Sequence, residues 1–412
     1  MVDSKADIES DIDPAIDRGE STGRMEPMLV PDGSPRRSRL DDLAVELASR
    51  SAGFRRSLPE GVLEPLSDLV RAMNCYYSNL IEGHDTHPVD IERALKSDFS
   101  AEPKTRNLQL EAKAHIAVQQ WIDEGGGLHG REFSADGICE IHRRFGEGLP
   151  EDLLWAEELD TDDPIKVVPG ELRDRDVTVG RHVPISPGAV PRFLDRFDEV
   201  YSNTGKAGTI LGAAAAHHRL LWIHPFLDGN GRVARLVSHA TLFEALDTGG
   251  VWSVARGLAG RVADYKSHLA ACDLERRNDL DGRGHLSEEA LASFTQFFLE
   301  TCLDQVSFME GLVEPNRLRA RILLWVEEEM RVGDLPERAG SVLEAVLFRG
   351  QLPRGEVAPV LGVSDRHARR VVSALTERRV LASESPRSPL HIAFPAELAS
   401  RWMPGLFPER TA

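Results

Sequence analysis

Residues 223–235 read IHPFLDGNGRVAR. This short run holds a histidine, a carboxylate, a Gly-Asn-Gly turn and two arginines, and its natural core residues are Phe226, Leu227 and Val233. Packing does not ask for that mixture, so it needs a chemical reason. Apolar residues recur with helical spacing on both sides, over Thr209–Trp222 and from Gly231 to Leu246. The run is therefore a loop between two helices whose second half opens the later one.

A helix N-terminus exposes unpaired N–H groups, and glycines beside it let an anion approach. Gly229, Asn230 and Gly231 suit such a cradle. Arg232 and Arg235, three apart, share one side of the first helical turn and can both take phosphate oxygens. Asp228 beside phosphates calls for a cation between them, and one carboxylate with phosphate oxygens and water is a usual way to hold Mg²⁺. His224 is a side chain able to accept a proton near neutral pH.

The string His224-Pro225-Phe226-Leu227-Asp228-Gly229-Asn230-Gly231-Arg232-Val233-Ala234-Arg235 resembles the complete signature of the Fic family, with no departure. The resemblance implies transfer of AMP from ATP to a Ser, Thr or Tyr hydroxyl of a target protein, with pyrophosphate released. His224 would be the catalytic base, Asp228 the Mg²⁺ ligand, and Gly229, Asn230, Gly231, Arg232 and Arg235 the phosphate ligands. Phe226 is expected to be structural. Tyr265, in VADYKSHLAACD, falls in a region that in relatives contributes to the nucleotide-base pocket, with Asp273 as a further lining residue. Tyr265 also has helical spacing with Leu269, which suits a core position.

Upstream, YYSNLIEGH places Ser78, Glu82 and Gly83 at the end of a helical pattern. Gly83 suits the position just past a helix, and Glu82 then faces the negative pole of its own helix, at a cost of about 0.3–1 kcal/mol when exposed. A cationic partner would make sense of it. The element resembles the inhibitory motif of Fic proteins, which implies that Glu82 pairs with Arg235 and that the chain inhibits itself. Running the same site in reverse, as a hydrolase that removes AMP, is the enzymatic alternative. A DNA-binding regulator whose core only senses nucleotide is the alternative from another class.

Around this centre the chain divides into expected units. Residues 1–38, rich in Asp, Glu, Ser, Pro and Gly, are expected to form a disordered acidic tail. Residues 39–127 form an N-terminal helical region with the inhibitory motif, 128–312 the catalytic core, 313–335 a helical linker and 336–412 a winged helix-turn-helix. The helical spacing makes the fold class mainly α, and the resemblance implies a Fic-type helical core with a β-hairpin flap, beside the C-terminal winged helix-turn-helix. That hairpin is expected at Lys166–Ile185, where β-branched residues alternate around Gly170 and Gly180. By the resemblance it would hold a protein substrate by strand addition. Further helices are expected at Ala135–Phe145, Val190–Tyr201, Ala263–Cys272, Ser287–Leu303 and Pro315–Met330.

In the C-terminal unit, RGEVAPVLGVS reads as a helix and turn and DRHARRVVSALTERR as a recognition helix. Val380–Ser383 and Leu390–Phe394 would make the wing. Arg366, His367, Arg369 and Arg370 could meet DNA, and a protein-interaction or homodimer role is the alternative.

The net charge of −18 argues against a chain that coats nucleic acid or anionic membrane wholesale. Cys75, Cys139, Cys272 and Cys302 have neither disulfide nor zinc spacing, and there is no signal peptide or membrane run, so a cytoplasmic setting is expected. Three look-alikes fall away. The stretch after Asp279 and Asp281 has Arg283 and Ala290 where a calcium loop needs oxygen ligands. Gly205-Lys206 lacks the earlier glycine of a phosphate loop. Adjacent His217 and His218 point to different faces and are expected to be one buried histidine and a polar neighbour.

Overall fold

The structure, a computed structural model, describes residues 15–156 and 164–408, and helices dominate it. The first half contains α1 (Arg37–Ser57), α2 (Glu60–Ile81), α3 (Pro88–Leu95), α4 (Pro103–Asp123) and α5 (Ala135–Glu147). The middle of the chain contains α6 (Val190–Tyr201), α7 (Lys206–Ile223), α8 (Asn230–Leu246), α9 (Ala255–Gly260), α10 (Val262–Cys272) and α11 (Glu288–Leu312).

The quoted loop joins α7 to α8, and these two helices pack along their length. Small residues make that possible: Gly212 and Ala213 to Ala216 are all buried, so α7 can be surrounded on every side. Around the pair, α6 and α1 lie on α7, α5 and α4 lie on α8, and α11 covers α1, α7 and α10. α2 packs on α4 and α9, with Leu66, Leu69, Val70 and Met73 among its buried residues, and its C-terminal end comes to the loop.

The C-terminal part follows with α12 (Pro315–Val332), α13 (Ala339–Arg349), α14 (Val357–Leu361), α15 (Asp365–Glu377) and the short α16 (Ala399–Trp402). Its strands are Gln351–Leu352, Leu381–Ala382 and Leu390–Ile392, antiparallel, with the last between the other two. The first of these has no sequence signal beyond two residues. The segment expected as a linker is an integral layer here: α12 packs on α13 and α16, and Trp325 meets Trp402 edge to face. Contacts such as Tyr77 Oη to the Leu406 carbonyl and Arg379 with Glu92 tie this part to α2 and α3.

Two expectations need correction. From residue 15 onward the presumed tail is ordered against the body. Met25, Met28 and Val30 are buried, and the charges pair locally: Asp17 with Arg192, Arg18 with Asp176, Glu26 with Arg196. Composition missed this because three apolar anchors and well-placed arginines suffice where a groove already exists. Residues 1–14 lie outside the described residues.

The flap is also different. Its ladder pairs β1 (Trp155–Ala156) with β2 (Ile165–Lys166), and residues 157–163 between them are outside the description. Most of 167–185 is irregular, with one antiparallel bridge at Val179 and His182. Within this stretch Arg173 is buried, its guanidinium taken up by backbone carbonyls rather than a long ladder.

Candidate active site

His224 ends α7 in the left-handed region, at φ 52° and ψ 64°. For a non-glycine residue this costs about 1–3 kcal/mol, and Arg173 supplies bonds that offset it. Its backbone N–H donates to the Pro225 carbonyl at 2.9 Å and its Nε to the His224 carbonyl at 2.8 Å. Its other nitrogens donate to Arg175 and Ile185 carbonyls. The guanidinium is buried, which lowers its pKa to about 10. Nothing in the spacing of GELRDRD marks Arg173 out, and sequence reasoning missed it.

His224 Nδ1 lies 3.3 Å from the Leu221 carbonyl oxygen, which fixes the proton on Nδ1 and leaves Nε2 as the acceptor. Burial lowers its pKa to about 4, so the ring is neutral at pH 7 and competent to take a proton. Beneath the loop, Phe226 is buried and stacks on His142 with ring centroids 3.9 Å apart. His142 Nδ1 in turn accepts from the Gly170 N–H at 2.9 Å, linking the loop to the flap segment. This residue too was missed, since its partners are distant in sequence.

Asn230 plays a different part from the one expected of its side chain. Its carboxamide accepts from Phe226 N–H at 3.0 Å and donates to the Phe226 carbonyl at 2.8 Å, closing the turn. Only its backbone N–H remains for an anion at the start of α8. Gly229 precedes the helix in the left-handed region. Asp228 projects outward, half exposed, with Oδ2 3.4 Å from Arg232 Nη2.

Both arginines are buried and both meet carboxylates. Arg235 donates through Nε to Ser78 Oγ at 2.8 Å, and through Nη2 to the Ser78 carbonyl at 3.1 Å and to Glu82 Oε1 at 2.5 Å. Arg232 donates to Glu111 of α4, a residue that no local motif announced. The α2 terminus explains how Glu82 reaches this place. Gly83, at φ 88°, donates to the Leu80 carbonyl while His84 N–H donates to that of Asn79, a pair of bonds that ends the helix sharply. Loss of water raises the Glu82 carboxyl pKa, but Arg235, aided by Arg232 and Lys266, outweighs this and holds it below the usual range.

Tyr265 is only 2% exposed and offers no surface to a nucleotide base. Its hydroxyl lies 2.6 Å from His217 Nε2, and burial raises its pKa to about 12. His217 and His218 are both buried, contrary to expectation: His217 also meets Ser238, and His218 lies 3.0 Å from Asp273. α7 is covered on all sides, so its neighbouring positions share one fate. Asp281 accepts bonds from Ser287 Oγ and the Glu289 N–H within its own turn. Among the described residues no helix is long and apolar enough to cross a membrane.

Residues 132–242 match the model of the Fic/DOC family. A protein adenylyltransferase Fic of Drosophila ananassae is 35% identical over 197 residues, which cover 47% of this chain and 35% of that protein. Its namesake in Nematostella vectensis is 28% identical over 217 residues, 51% of this chain and 47% of its own. The chain thus spans less than half the length of these relatives. Among solved structures, a Fic family protein of Desulfovibrio desulfuricans G20 aligns over 89% of this chain and 98% of its own, with 16% identity and a TM-score of 0.49.

Proposed function

We propose that this chain, whose residues 132–242 match the model of the Fic/DOC family, is a self-restrained protein adenylyltransferase. The observation that carries the restraint is Glu82, seated on Arg235 at the N-terminal end of α8, where a nucleotide phosphate would bind. In the released state the α8 N–H groups, Arg232 and Arg235 hold the phosphates of ATP.

His224 Nε2 takes the proton from a target hydroxyl, whose oxygen forms a bond to the α-phosphorus. The bond to the bridging oxygen breaks and pyrophosphate leaves with that electron pair. Positioning and charge stabilisation do most of the work in such transfers. Asp228, half exposed, fits one protein ligand of a Mg²⁺ ion. Among the described residues no group of three His, Cys, Asp or Glu could hold a metal, so ATP and water would complete the shell. Bound there, the ion would neutralise phosphate charge.

For the target, the exposed apolar side chains Trp155, Val168, Val179 and Val183 support docking along the flap segment. Incubation with labelled ATP tests the whole reading. Glu82→Gly should label protein strongly, wild type weakly, and Glu82→Gly with His224→Ala not at all. Equal labelling by wild type and Glu82→Gly would remove the restraint from the proposal.

A second binding role rests on α15. Its buried face is Ala368, Val371, Val372 and Leu375, while Arg366, Arg369 and Arg370 are exposed without an ion-pair or hydrogen-bond partner among the described residues. Arg387, at the tip of the hairpin formed by Leu381–Ala382 and Leu390–Ile392, is exposed too. We read this unit as a winged helix-turn-helix that takes the phosphate backbone of duplex DNA.

A further inference from the structure

Arg232 is held by a carboxylate from outside the signature loop. Glu111 is 4% exposed; one oxygen accepts from Arg232 Nη1, and the other lies 2.7 Å from His84 Nδ1. The rest of the guanidinium is unspent. Its plane lies over the Phe145 ring, 4.9 Å from the centroid, Nη2 has only the 3.4 Å contact with Asp228, and Nε is buried with no hydrogen-bond partner. A buried donor without a partner needs a reason, and a phosphate oxygen arriving at the α8 N-terminus would supply one.

We propose that Glu111 is a positioning residue for the nucleotide: it pins one amine of Arg232 so that Nε and Nη2 meet phosphate oxygens beyond the α-phosphate. A planar guanidinium fixed at one corner is fixed in orientation, which is what a flexible side chain needs before it can grip an anion bidentately. His84 gives the arrangement its link to the restraint. It follows Glu82 by two positions, so the segment that places Glu82 on Arg235 also places an imidazole on the carboxylate that steers Arg232. The two arginines are thereby set by one short stretch of chain. This inference rests on reading the loop as an ATP phosphate site.

Nucleotide binding by Glu82→Gly protein, with and without Glu111→Ala, separates the possibilities when ATP, ADP and AMP are compared calorimetrically in Mg²⁺. Glu111→Ala should weaken ATP and ADP about tenfold or more, the loss of one well-aimed charged contact, and leave AMP unchanged. The KM for ATP should rise more than kcat falls, and Glu111→Gln, which keeps an acceptor for Nη1, should recover much of the loss. If Glu111→Ala melts below the assay temperature, Glu111→Met keeps the bulk, withdraws only the acceptor and carries the same expectation. Equal weakening of all three nucleotides, or none, overturns the positioning role. Failure of Glu82→Gly itself to bind ATP would instead overturn the reading of the loop, and this inference with it.

Discussion

Glu82 and Gly231 lie so close that a β-carbon on the glycine would strike the carboxylate. The glutamate that sits at the unfavourable end of α2 therefore sits at the favourable end of α8, acting as a built-in anion where the N–H groups converge. On the proposed reading, Gly231 would serve the carboxylate and a nucleotide phosphate in turn, and both would need it bare.

Substituting that glycine should not mimic removal of the glutamate. Gly231→Ala pushes Glu82 away but also fills the cradle, so labelling should stay low and should not recover when Glu82→Gly is added. Radiolabel transfer by the single and double variants checks this, and strong labelling by the double variant would show that no phosphate sits there.

If Glu82 restrains the site as proposed, the contact between His84 and Glu111 should make that restraint sensitive to pH. The hydrogen bond to Glu111 raises the His84 pKa; partial burial and Arg232 oppose the rise, while Glu82 adds to it. A raised folded value means that the contribution of this contact is complete below the unfolded pKa, near 6.5, and fades as pH rises through the folded one. The 82–84 segment should therefore hold most firmly in mild acid. The ratio of Glu82→Gly labelling to wild-type labelling should shrink as pH goes from 6 to 8, and His84→Ala should flatten that change.

Arg173 should prove necessary without touching substrate. Arg173→Ala strands the carbonyls of His224, Ile185 and Arg175 and should lower the unfolding free energy by about 3 kcal/mol. Arg173→Lys keeps the charge but not the fork, and should recover only part of it. Denaturant melts measure the loss, and AMP transfer by Arg173→Lys in the Glu82→Gly background should fall more than its stability does, because the His224 carbonyl loses its anchor.

If α15 meets duplex DNA, binding should weaken with salt at a slope of about −0.9 per phosphate neutralised. Replacing Arg366, Arg369 and Arg370 together by alanine should reduce the slope by about one unit for each arginine that touches a phosphate. Fluorescence anisotropy with a random duplex gives the slope, and no binding at low salt would leave the unit to a protein partner.

The loop was legible because its chemistry is contiguous. His224, Asp228 and the two arginines fall within one turn and one helix start, and the bounds of α6 and α8 follow from apolar spacing and the Gly-Asn-Gly turn. Glu82 at a helix end asked only for some cation; its pairing with Arg235 was legible through the resemblance of YYSNLIEGH to the inhibitory motif. Glu111, His142 and Arg173 were not, because each meets the loop from another element and none breaks a local pattern. Asn230 was half legible: its position was plain, but whether a carboxamide faces an anion or its own turn depends on how Phe226 is seated. The N-terminal stretch misled for a related reason, since composition says nothing about a groove waiting elsewhere in the fold.

That stretch bears on how the protein can be handled. Trimming the chain at residue 38, as composition would suggest, discards Pro27, whose carbonyl takes two donors from the wholly buried Arg219. It also discards Glu20, which holds both the backbone and hydroxyl of Ser186 at the far end of the flap segment. A shortened protein would keep the contact of Arg219 with His218 Nδ1 but strip this buried cation, five residues before His224, of the Pro27 carbonyl, and would loosen the rim around the site. Poor activity from such a fragment would report the missing strap rather than a weak enzyme.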